Sequence, residues 1–220
     1  MTDKYLPKLS AFLLSADEQA TVNEALQKND PWGWKPTEPK KTYLKDAKDK
    51  IRDYHLERHG HKCCYCRKNL FGEAKLSIDR EHILPKGNPN YRHLSFTMWN
   101  LGASCKRCNM LYKGTDEGFI VAGHQSGNLN SSGCYSFIHP NFDLFKDHLG
   151  RRSEEVNDTT IVKYTVQNGS EKGEYTYDYF NLKGLEIGSF DTAQGHKSSF
   201  AIGDLGMKVR SLAQRFFRPA

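Results

Sequence analysis

His61-Lys62-Cys63-Cys64-Tyr65-Cys66 opens the stretch whose reading decides the fold, and Cys105-Lys106-Arg107-Cys108-Asn109, with Lys113-Gly114, closes it. Between them stand Asp79-Arg80-Glu81-His82-Ile83-Leu84-Pro85 and, later, Asn100. Cys63/Cys66 and Cys105/Cys108 share the two-residue gap that lets two thiolates of one knuckle reach about 2.3 Å from the same Zn²⁺. Two such pairs around an acidic residue and a histidine describe a zinc-stapled scaffold holding a second metal centre. Cys64 competes with Cys63 as ligand, but its one-residue gap to Cys66 is too tight for the usual knuckle, so Cys63 is preferred. Cys134 is left over.

Working outward, 220 residues and 25.2 kDa suffice for one substantial domain or two small ones. A hydrophobic fraction of 37% and a mean hydropathy of -0.72 favour a modest core with long polar excursions. No apolar run approaches the ~18 residues of a membrane span, and Ala11 to Leu14 is too short for an export signal. A soluble, cytoplasmic protein is therefore expected, in whose reducing surroundings six cysteines read as metal ligands before disulfides. The net charge of +6 is uneven. Residues 61–118 hold ten Lys and Arg against five Asp and Glu, whereas residues 119–220 hold eleven of each. A basic centre suits a polyanion, although four zinc-bound thiolates subtract from it.

The flanks read more coarsely. Ser15, with Glu18 three residues on, forms a capping box for a helix to Lys28, which Pro31, Gly33 and Pro36 then interrupt. Trp32 and Trp34 in that interruption are either buried anchors or an exposed patch, burial being favoured. From Thr42 to His59, Leu44, Ala47, Ile51 and Tyr54 recur at helical spacing opposite Lys45, Lys48, Asp49 and Arg52, with Gly60 as the cap. Ala74 to Ile78 reads as a strand. Ile161, Tyr164 and Val166, then Asn168-Gly169, then Tyr175, Tyr177 and Tyr179 read as a hairpin. Val209, Leu212, Ala213 and Phe216 read as a terminal docking helix. A four-cysteine site needs none of His55, His59 and His61, which are assigned to the surface or to support. His93 and His139 are read as loop-packing residues.

The central motif carries chemistry. In-line hydrolysis of a phosphodiester needs a deprotonated water and a cation on the oxygens that gain charge. A neutral histidine supplies the base near pH 7, and a carboxylate with an amide oxygen holds Mg²⁺ while leaving positions open. His82 is the candidate base, Glu81 the carboxylate, Asn109 the amide, and Asp79 a further acidic candidate. Lys113, four positions after Asn109, is read as either a phosphate contact or a solvated residue before a helix-ending glycine.

In this order the residues resemble the HNH nucleases, and the resemblance covers roughly residues 42–115. It implies a zinc-stapled ββα-metal core at 41–118 in an α+β fold; the N-terminal helical arm at 1–40 and the mixed α/β extension at 119–220 exceed what such a core needs, and are read as docking a partner ATPase, the arm above all, or else as reading DNA or tRNA. It further implies that His82 activates water, that Glu81 and Asn109 bind the metal, and that Asn100 shapes the loop between the strands. Lys86, Arg107 and Lys113 would contact nucleic acid. Asn109 replaces the motif's final His, as in many relatives with a Cys-x-x-Cys-Asn-x-x-x-Lys-Gly ending, which favours Mg²⁺ or Mn²⁺ beside the structural zinc. Glu81-His82-Ile-x-Pro-Lys86, Trp99-Asn100-Leu-x-x-Ser-Cys-x-x-Cys-Asn and Ile138-His-Pro-Asn-Phe-Asp143 also resemble the PtuB family, the nuclease subunits of Septu anti-phage systems that accompany some retrons. That resemblance implies a PtuA-like ATPase partner. Two other classes stay open at this point, a non-catalytic zinc-dependent nucleic-acid-binding module and a small adaptor, as does DNA against tRNA as substrate.

Overall fold

The computed structural model describes residues 3–124, 127–156 and 159–193. The expected terminal helix around Val209 and Phe216 lies outside them. Among the described residues no helix is long and apolar enough to cross a membrane. The chain divides into two compact units, one of residues up to 152 with 163–183, the other of 153–162 with the residues from 184. The first carries every candidate residue.

Helix α1, Ala16–Ala25, starts as its sequence dictates: the Ser15 hydroxyl accepts from the Glu18 backbone N–H, and the Glu18 carboxylate accepts from that of Ser15. Val22 and Ala25 pack against Leu44 and Ala47 of helix α2, Lys40–Arg58, with Leu14, Leu26, Trp34 and Phe96 closing the cluster. Both Trp32 and Trp34 are half-buried. Gly60 takes φ +62°, the left-handed cap that glycine adopts without cost. One face of α2 departs from expectation. Arg52 is buried and held by Asp49 (2.8 Å) and Asp53 (2.7 Å), and His55 and His59 lie in the interior, because they extend the Ile51 stripe by one and two turns.

Strand β1, Ile78–His82, pairs antiparallel with β2, Leu101–Cys105, in the register Ile78↔Cys105 to His82↔Leu101. The strand expected over residues 74–78 thus begins only at Ile78; Lys75–Ser77 is a 3-10 turn. The reason is register: β2 ends at Cys105, where the chain turns to its second knuckle, so residues before Ile78 have no partner. Gly102 lies against the Cys64 side chain: a Cβ there would stand 3.4 Å from its sulfur, at ordinary contact distance. A π-helix, Arg107–Lys113, follows β2.

Residues 1–40, expected as an arm, are knitted to this unit. Arg58 of α2 donates to the Pro7 carbonyl (2.6 Å), pairs with Asp3, and donates to the Asn141 amide oxygen (3.3 Å). The Asn141 amide nitrogen clasps the Trp99 (3.0 Å) and Leu101 (2.7 Å) carbonyls at the root of β2. His139, read as a satisfied structural residue, packs as one, its ring stacked on Phe142 at 4.0 Å and accepting the Asn141 N–H, but its Nε2 is buried without a partner among the described residues. Asp143 closes the segment on Lys172 (2.8 Å) and the Ser132 hydroxyl (2.5 Å). After the short helix α3, Phe145–His148, come strands β3, Leu149–Val156, and β4, Thr159–Val166, which pair with each other.

The second arm of the expected hairpin is a helix instead, α4, Glu171–Tyr179. Ser170 caps it by accepting from Gly173 (3.1 Å), and Glu171 and Glu174 suit the positive end of its dipole. Alternating tyrosines satisfied both periods: Tyr175 and Tyr179, one turn apart, stack at 5.6 Å. Helix α5, Leu182–Ala193, contributes mainly to the second unit, where the Val162 N–H reaches the Ser189 hydroxyl at 3.1 Å.

Burial pushes the His55 and His139 imidazoles down to about 3 and that of His59 well below its ordinary value. They stay neutral when folded and charge only on unfolding, so their stabilisation is complete above pH 6.5 and is lost as pH falls from 6.5 toward 3. Urea titrations between pH 7 and 5 should therefore show stability falling with acid. A His55→Leu protein should fall less steeply, by about 1 kcal/mol per pH unit averaged over that range and approaching about 1.4 at its acid end.

Candidate metal centre and hydrolytic site

The four predicted thiols meet. Cys63, Cys66, Cys105 and Cys108 are buried, and their sulfurs all lie within 4.8 Å of one another, with Cys66 and Cys105 at 3.8 Å. That is the edge of a tetrahedron whose centre is about 2.3 Å from each sulfur, so the set fits Zn²⁺. The knuckle forms locally. Arg67 at φ +57° turns the chain so that its N–H reaches the Cys63 carbonyl (3.0 Å), and the Cys105 N–H points at the Cys63 sulfur (3.3 Å). Burial works to raise the Cys63 thiol pKa, yet hydrogen bonds with Cys105, Cys108, Cys64 and Cys66 hold it well below the usual range. The choice between neighbouring cysteines is settled. Cys64 lies outside the cluster, packed on Gly102, with its N–H on the Ala103 carbonyl (3.0 Å) and its thiol raised by burial.

Strand alternation sends Asp79 and Glu81 to one face of β1, and Arg80 and His82 to the other. The first face meets the π-helix in two steps. Asn109 donates to Asp79 (3.0 Å), which also pairs with Lys106 (3.1 Å). One turn later Lys113 pairs with Glu81 (2.9 Å). Lys113 is thus neither a solvated residue nor a free phosphate contact, because the π-turn rolls it inward to 2% exposure. Tyr65, stacked on Phe180 at 4.4 Å, donates to the same Glu81 oxygen (3.1 Å). Burial raises the Glu81 carboxyl pKa, and Lys113 and Tyr65 oppose the rise. Its other oxygen, Oε2, is buried and has no partner among the described residues.

On the opposite face His82 is 7% exposed. Its Nε2 lies 3.1 Å from the Ser95 carbonyl, and Trp32 packs edge-on against the ring at 4.4 Å. A carbonyl only accepts, so Nε2 carries the proton and Nδ1 keeps the lone pair. Burial takes the imidazole down to about 3. Asn100, fully buried, holds the loop between the strands: its oxygen accepts from Leu84 N–H (2.8 Å) and its nitrogen reaches the Leu84 and Leu94 carbonyls. Of the predicted nucleic-acid contacts, Lys86 is exposed. Arg107 is occupied, donating to the Phe180 (2.9 Å) and Asn181 (2.7 Å) carbonyls and stacking on Tyr112.

The carboxylate, amide and imidazole predicted as one site therefore divide between two faces of a strand, and no Glu81–Asn109 bond joins the first pair. For a hard cation the donors fit in kind: two carboxylates and an amide on one face, with one carboxylate oxygen orphaned. The Lys113 ammonium supplies the positive charge there. Sequence reasoning missed Tyr65, Trp32 and Lys48, the last donating to the Trp32 carbonyl at 2.6 Å; only the position of Tyr65 inside Cys-x-Tyr-Cys carried a signal. Comparison of this chain with protein-family models, curated proteins and solved structures gives no match.

Two measurements test the geometry. Cys63→Ser should lose bound zinc and cooperative unfolding, whereas Cys64→Ser should keep both, as read by metal content and thermal melting. Lys113→Met, which leaves Glu81 buried and unpaired, should cost about 3–5 kcal/mol in urea unfolding.

Proposed function

We propose that this chain is a metal-dependent nuclease of the HNH kind that hydrolyses phosphodiester bonds of DNA or RNA. The observation that carries the reading is the antiparallel pair β1–β2 ending in a neutral His82, followed at once by a helix whose Asn109 and Lys113 meet Asp79 and Glu81, all braced by the four thiols. His82 is the candidate base on its tautomer: the proton sits on Nε2, held by Ser95, and Nδ1 keeps the lone pair. Burial keeps the ring neutral at pH 7 but makes it a weak base while Trp32 covers it, so the role needs water to reach the ring. Glu81, Asp79 and Asn109 would hold Mg²⁺ or Mn²⁺ to neutralise charge on the scissile phosphate. Because they lie on the face of β1 opposite His82, that phosphate would have to reach both around the end of the strand, where Glu81 and His82 are adjacent. The zinc has no share in the chemistry and fixes the spacing of strand and helix.

Membership of an anti-phage system with an ATPase partner rests on the sequence resemblance to the Septu nuclease subunits. A second reading has one observation in its favour. Lys113 on Glu81 and Trp32 on His82 leave both groups satisfied within the protein, as a purely zinc-dependent nucleic-acid-binding module would have them.

His82→Ala separates the two. With zinc content and melting unchanged, the variant should lose Mg²⁺-dependent cleavage of plasmid, single-stranded DNA and tRNA by at least about 100-fold. Full activity in that protein would refute the mechanism.

A further inference from the structure

Arg80 shares the His82 face of β1, and Lys48 and Lys86 both act electrostatically on His82 from elsewhere in the chain. Lys48 comes from the third turn of α2, half-buried, its ammonium 5.1 Å from the centre of the Trp32 ring whose edge covers His82. Its Nζ donates to the Trp32 carbonyl at 2.6 Å, and no carboxylate among the described residues lies within salt-bridge distance. Lys86, exposed just beyond Pro85, likewise lacks a carboxylate partner among the described residues. Arg80 has only a distant claim on Asp49, at 3.9 Å, and Asp49 already serves Arg52 at 2.8 Å and Lys45 at 3.1 Å. Asp30 acts on Lys48 only at longer range, so among the described residues the one carboxylate within salt-bridge distance of any of these three cations is Asp49, which Arg80 shares with Arg52 and Lys45.

We propose that Lys48, Arg80 and Lys86 form an anion site beside His82 that takes a backbone phosphate of nucleic acid. The proposal deepens the nuclease reading and rests on it for the identity of the anion. A half-buried cation without a counter-ion is costly, and the cost is removed when an anion binds. Burial, with the neighbouring Arg80 and Lys86, already takes the Lys48 ammonium down to about 8, which a phosphate would reverse. A phosphodiester spreads its charge over two oxygens, which an ammonium and a guanidinium fork approach from different sides. Asp79 and Glu81 face away from this site, so the attraction is not cancelled by the residues proposed for metal. Trp32 and Phe96, 5.0 Å apart, wall the site on its apolar side.

The test is fluorescence anisotropy of the zinc-loaded full chain with a labelled single-stranded DNA and the RNA of the same sequence, without added divalent cation, across a salt series. Lys48→Met, Arg80→Gln and Lys86→Gln should each weaken binding and flatten the slope of log K against log salt by about 0.7. Lys48→Arg should restore the slope. Lys86 is exposed, so its variant keeps the test alive should Lys48→Met misfold, as judged by melting and zinc content. A folded Lys48→Met protein with an unchanged slope overturns the site, even if affinity falls, because loss of packing moves affinity without moving counter-ion release. Failure of the wild-type chain to bind either oligonucleotide also overturns it. Flattened slopes with no cleavage by the wild type sustain the anion site and sink the nuclease reading.

Discussion

Four thiols brought within one tetrahedron's reach tie together three pieces of chain with little else in common: the turn after α2, the end of β2 and the start of the π-helix. A two-stranded sheet of five residues a side is not stable alone in water, and a seven-residue π-helix less so. The thiol cluster fixes where β2 ends, hence the register of β1, hence which side of that strand Asp79 and Glu81 occupy. The charge pattern follows. Once Asp79 and Glu81 face the π-helix, the residues one and five positions beyond Cys108, Asn109 and Lys113, become their partners.

Against this frame the flanks work as buttresses. Asn141 satisfies two carbonyls at the root of β2 that no strand pairs, and Arg58 orients Asn141 while gathering the N-terminal segment. The Tyr164 hydroxyl reaches the Cys66 carbonyl at 2.5 Å, so β4 holds the knuckle from outside. Apart from Arg58 on the Asn141 side chain, each of these bonds ends on a backbone carbonyl, where changing the residue that accepts would alter little.

The central stretch was legible because its chemistry is local. A Cys-x-x-Cys gap, a capping box at Ser15 and Glu18, and a glycine after an amphipathic run each act within a turn or two, and each is found where the spacing put it. What escaped depended on distant packing. Arg52 and His55 read as polar, yet tertiary contacts bury them, and alternating tyrosines at 175, 177 and 179 fit a strand until Ser170 and Gly173 start a helix. Lys113 was placed on the correct face, but a π-turn was needed to roll it inward. Trp32 against His82 joins residues fifty apart with no motif between them.

The Arg58–Asn141 bond spans 83 residues of sequence, and this sets an order on synthesis. The chain emerges N-terminus first, so all four cysteines are available to metal once Cys108 has left the ribosome. Arg58 and Asp3 are already present by then, but Asn141, which anchors them to β2, is still to come. A knuckle that took metal at that stage would precede the clasp that later closes on it. Any zinc taken up then would act on an unfinished chain, before Asn141 joins Arg58 to the root of β2.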